Sequence, residues 1–262
     1  MATSISPGAT GNPPDPGQHA GTRAGTSGAR YPADSLAKLV SGLALILAPL
    51  GLLVANTSYA WATRDGGSDD TGANALALAG QHPGLLRLSL TAALIGSLLL
   101  VPALLGAMRL TGGRAAWLSL TGGSLMIAGY VCYLGVAALS APVLAMAGAD
   151  GPAGLFARVI DDTQGDASTM WMFVLFVAGN LIGTFLLGLA LLRSHAVAAW
   201  AAIAVMAWPV LHITGLAAGT EWFEVAGAAL QAAGLAAAGV AVLRRQGGWA
   251  TAPQAGLAAE PG

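Results

Sequence analysis

Six stretches of this chain are each apolar for the length a helix needs to cross a bilayer, and they follow one another through connections that are short at some junctions and longer at others. They run from about 36 to 59, 88 to 108, 116 to 138, 168 to 192, 196 to 218 and 222 to 243. Hydrocarbon about 30 Å thick takes about 20 residues of helix. The runs are continuous rather than alternating in ten-residue segments, which excludes a transmembrane barrel. Six such runs leave no polar face for water, which excludes a soluble core. The expected fold is all-α, a polytopic transmembrane helix bundle of six spans. The interval from Ala115 to Ala149 carries no charge. That is too long for one upright span, and Pro142 offers a place to end or bend it.

Composition narrows the function classes. Of 262 residues 55% are hydrophobic and 9% charged, against about 25% charged in an ordinary soluble domain. Eleven basic and twelve acidic side chains give a formal charge of -1. With no basic excess to neutralise phosphates, no nucleic-acid partner is expected. Cys132 is the single cysteine, so an internal disulfide, a CxxC pair and a cysteine zinc site are excluded. Neither HExxH nor a P-loop is present, and a membrane haem normally needs two facing histidines where only His212 lies inside a span. No metal, cofactor or catalytic residue is expected, and the chain reads as not an enzyme.

Residues 1–34 are rich in Pro, Gly, Thr and Ser and read as a disordered segment, as does the tail 246–262. Residues 35–245 form the membrane domain. One side of the bundle collects Arg23, Arg30, Lys38, Arg109, Arg114, Arg193, Arg244 and Arg245, and the other only Arg64, Arg87 and Arg158. The positive-inside rule then puts both termini in the cytoplasm. Arg outnumbers Lys ten to one, as a GC-rich genome produces, which suggests a bacterial cytoplasmic (plasma) membrane. The expected partner is the lipid bilayer, with a second copy of the chain or another membrane protein left open.

The stretch Asn74-Ala-Leu-Ala-Leu-Ala-Gly-Gln-His-Pro-Gly-Leu-Leu-Arg87, leading into a span that ends Leu104-Leu-Gly-Ala-Met-Arg109, resembles a family of uncharacterised integral membrane proteins common in actinobacteria. The resemblance covers residues 36–109. It implies about six helices and a polar outer loop ending in an arginine, and it implies no activity.

Polar groups inside a bilayer are costly and often mark function. His212 lies in the outer half of the fifth span, and Pro209 three residues earlier frees the carbonyl of Val205. Such a break beside a titratable ring suits a proton or ligand site, and equally a histidine bonded to a neighbouring helix. Glu221 and Glu224 open the sixth span, where the helix dipole favours carboxylates. Gln231 shares a face with Gly227 and Gly234, and Asn180 and Thr184 share one with Gly179, Gly183 and Gly188. Small-residue stripes of this kind suit close helix packing. Arg87, at the mouth of the second span, is a partner for Glu224 or Asp166, or a cation that snorkels to lipid phosphate. The candidate polar site is therefore His212, Glu224, Arg87, Asn180 and Gln231. Between Pro152 and Asp166, Leu155, Phe156, Val159 and Ile160 fit one face of a short helix, lying on the membrane surface or packed on the bundle.

On the sequence, the chain is a non-enzymatic membrane protein with an accessory, sensing or scaffolding role. The alternative is a small-solute or proton-coupled transporter using the outer-half site around His212.

Overall fold

The structure, a computed structural model, describes residues 32–113 and 115–245. The expectations of disorder at 1–34 and 246–262 fall almost wholly outside the described residues; Pro32, Ala33 and Asp34 already belong to the first helix. The protein is an all-α helical bundle. Ten helices run in order: α1 Pro32–Thr63, α2 Gly72–Gln81, α3 Pro83–Leu110, α4 Ala116–Ala138, α5 Ser140–Ala147, α6 Ala153–Gly165, α7 Ala167–Ala178, α8 Thr184–Ser194, α9 Ala199–Ala218 and α10 Trp222–Arg244. A five-residue π turn, Gly179–Gly183, joins α7 to α8. Six segments are long and apolar enough to cross a membrane: α1, α3, α4 with α5, α7 with α8, α9 and α10.

These spans close into a ring in chain order. Each packs against its sequence neighbours, and α10 closes the ring on α1. Short turns join α3 to α4, α8 to α9 and α9 to α10, and such turns make consecutive helices antiparallel neighbours. All six spans send a side chain into one core: Leu45, Leu104, Met126, Leu187, Val205 and Leu235 are each fully buried. Outward-facing Leu98, Ile203, Val210 and Leu216 stay exposed, the surface hydrocarbon would cover.

Glycine stripes allow the close approach. A Cβ on Gly179 would lie 2.5 Å from the carbonyl oxygen of Leu125, and one on Gly183 2.9 Å from the nitrogen of Met126, so α4 crosses the π turn backbone to backbone. On α10, Gly227 faces Trp208 and Gly234 faces Ala201 and Val205 of α9. Both stripes are packing surfaces. The proline-bearing spans run through Pro49, Pro102 and Pro209 without a break in helix.

Two of the differences from the sequence boundaries trace to a proline. The second span starts at Pro83, because a proline at the first helical position has no N–H to leave unpaired. The third halts at Ala138, resumes at Ser140 and runs to Ala147. Pro142 has no N–H to offer the carbonyl one turn before it.

The loops at the far end from the chain termini build a cap. The loop 64–82 contains the short helix α2, and α2 packs on α5 and α6. Thr71 caps α2 through the N–H of Asn74. Asp161 of α6 accepts a 2.6 Å hydrogen bond from the N–H of Gly72. Helix α6 is thus held against α2, with Ile160 buried, while Leu155 and Val159 of the same apolar set are exposed.

Candidate functional site

The polar groups of the bundle gather at the cap end. Helices α9 and α10 are joined by a turn in which Gly219 takes a left-handed φ of 65°. This brings His212 and Glu224 to one height. Nδ1 of His212 lies 2.7 Å from Oε1 of Glu224. The contact lacks the in-line geometry of a hydrogen bond. Their side chains are 20% and 14% exposed, so the pair sits mostly inside the bundle with a narrow face open.

Three further groups surround it. Tyr59 of α1 donates a 2.7 Å hydrogen bond to Asp69 in the following loop. Glu221, just before α10, stands beside Glu224 and within the field of Asp69 and His212. Burial first, then the charges of Glu224 and Asp69, push its carboxyl up to about 7, against the opposing pull of His212. Trp61 and Trp222 meet edge to face with centroids 6.0 Å apart, and the Arg64 guanidinium lies over Trp61 at 5.4 Å. Farther out, Asp70 is held below the ordinary carboxylate range by hydrogen bonds from Ser68 and Asn74. Asp166 is likewise lowered by Ser168, whose backbone N–H it caps at the start of α7.

A polar chain runs inward from this site. The His212 ring stacks on Trp208 one helical turn earlier, with centroids 5.5 Å apart. Trp208 Nε1 donates to Oδ1 of Asn180 at 2.9 Å, and Tyr130 Oη donates to the same oxygen at 2.8 Å. Asn180 sits in the π turn and is 3% exposed. Tyr130 also lies edge-on to Tyr133 and Phe176.

The sequence-derived candidates therefore separate. His212 and Glu224 are paired. Asn180 connects to them through Trp208. Gln231 is buried in the stripe that packs on α9. Arg87 is exposed and makes no ion pair among the described residues. With α3 starting at Pro83, Arg87 stands in its second turn, on a face turned away from the bundle. Tyr59, Asp69 and Trp208 were not singled out from the sequence. Trp208 had a signal, since it stands four residues before His212 and shares its face. The bond between Tyr59 and Asp69 depends on how a loop folds back, which no periodicity records.

Among the described residues no three His, Cys, Asp or Glu side chains are grouped to hold a metal ion. Compared with family models, curated proteins and solved structures, the chain finds no match.

Proposed function

We propose that this is a non-enzymatic sensing protein of a bacterial cytoplasmic membrane, both termini inside, whose cap-end cluster responds to protons at the outer surface. The observation that carries this reading is the filled middle of the bundle. Six spans each bury a side chain in one core, and Asn180 is occupied by Tyr130 and Trp208. The titratable groups Glu221, Glu224, Asp69 and His212 stand together at one end, where a proton gained or lost changes how α1, α9 and α10 meet. The resemblance of residues 36–109 to an actinobacterial membrane family is consistent with that location.

The His212–Glu224 pair also supports the second reading, proton-coupled transport. Reconstituted protein separates the two. For sensing, intrinsic tryptophan fluorescence changes reversibly with external pH near 7, the change is displaced in Glu221→Gln, and proteoliposomes carrying a pH dye take up no protons above empty vesicles. Proton uptake that disappears in His212→Ala would establish transport and overturn the sensing reading.

A further inference from the structure

The opposite end of the bundle holds a second polar site, independent of the His212 cluster. There α1 begins and α3, α8 and α10 end. The charge is one-sided: Lys38, Arg109, Arg193, Arg244 and Arg245 stand there against Asp34 alone among the described residues. Between the ends of α3, α8 and α10 lies a cavity of about 420 Å³, lined by Gly112, Gly113, Ser194, His195 and Arg245, with Leu110 and two alanines.

Two features of this cavity go beyond a basic membrane flank. His195 closes α8 with φ 52°, a left-handed conformation where glycine is the usual residue and which costs an L-residue about 1–2 kcal/mol. The chain keeps an imidazole at that strained position, on the cavity wall. The second feature is the supply of donors. Among the described residues the N–H groups of Gly112 and Gly113 have no backbone acceptor. Arg245 gives one long bond, 3.4 Å, to the carbonyl of Leu110, and a guanidinium carries five N–H groups. Lys38 caps α10 through the carbonyl of Arg245, which holds that residue in place. Three helix C-termini meet here, and their carbonyls would favour cations. These two basic side chains answer two of those carbonyls and leave the cavity with donors in excess.

We propose that this cavity binds a phosphate group, with Arg245 and His195 as its principal contacts. The group comes from an anionic phospholipid headgroup or from free phosphate. The cavity exceeds what one phosphate ion fills and opens between helix ends, the placement in which basic pockets hold anionic headgroups.

The test uses purified full-length protein in neutral detergent and reads thermal stability, because a ligand of the folded state raises Tm. One arm adds inorganic phosphate against chloride at equal ionic strength. The other adds phosphatidylglycerol against phosphatidylcholine. Each is run on the wild type, Arg245→Gln, His195→Asn and Arg244→Gln. Asparagine keeps the left-handed cap, and Arg244→Gln removes the same charge beside the cavity. At ten times Kd the wild type gains about 4 °C, and the arm that produces the gain identifies the source. Arg245→Gln and His195→Asn lose at least half of it, and Arg244→Gln keeps it. If Arg245→Gln does not fold, His195→Asn carries the comparison. No gain in either arm, or an equal loss in Arg244→Gln, overturns the proposal.

Discussion

His212 and Glu224 face each other at 2.7 Å across the contact of α9 and α10, and each belongs to the half of its helix nearest the cap. Both stay at that depth because the α9–α10 turn is short. Glu221 stands in the turn itself, where burial and the charges of Glu224 and Asp69 push its carboxyl up to about 7.

The pH dependence has a definite sign. Glu221 is raised from its ordinary 4.5 to about 7, so between those values the folded chain holds a proton that the unfolded chain has released. Stability from this group is therefore greatest at low pH, falls as pH rises through 4.5 to 7, and is level above. The group is partly exposed, so the change is on the order of 1 kcal/mol after screening. Tm measured from pH 5 to 8.5 is expected to decline in the wild type and to be flatter in Glu221→Gln. Equal slopes in the two proteins would contradict the assignment.

Asn180 accepts from both Trp208 and Tyr130. Replacing it by leucine leaves two buried donors without an acceptor, at about 1–3 kcal/mol each. Asn180→Leu is expected to lower Tm by roughly 5–10 °C. Adding Trp208→Phe removes one orphaned donor, so the double variant should be less destabilised than the sum of the singles. Additive losses would show that the bonds contribute nothing specific.

Gly72 lies where the start of α2 crosses α6, and a Cβ there would run into the backbone of Ala157. Gly72→Ala must push the two apart, a strain of about 1–3 kcal/mol. The cap should open while the spans persist. Limited proteolysis is expected to cut between α5 and α7 faster than in the wild type, with helix content by circular dichroism unchanged. Unchanged cleavage would mean that α2 does not hold α6.

Orientation can be read by cysteine labelling. Cys132 is buried, which keeps the background low. With an impermeant reagent on intact cells, a cysteine at Gly151 should label and one at Ala252 should not. The reverse pattern would invert the topology.

The spans were legible because hydrocarbon imposes a length and an apolar composition on each one separately. The glycine stripes were legible too, since a helix period puts Gly227, Gln231 and Gly234 on one face whatever the partner. Arg87 shows where such reasoning stops. Its depth could be counted from the helix end, yet its direction depends on which face of α3 packs against α1 and α4, which no count along one helix records. Helix α2 was hidden for a different reason. Ten residues of small and apolar type between polar turns make a helix only once α5 and α6 cover it. Likewise Tyr59 and Asp69 meet through a loop path that only the finished cap defines.

The bond from the Gly72 N–H to Asp161 also sets an order of events during synthesis. The two residues are 89 positions apart. At 5–20 residues per second the ribosome needs roughly 4–18 s to supply the second after the first. For that interval the first cap loop has left the ribosome without the partner that holds the start of its helix. Two further spans must enter the membrane before α6 arrives to finish it. The first loop is therefore the region a protease or chaperone meets in an incomplete state, and a chain stalled after α4 would carry α2 without its clasp.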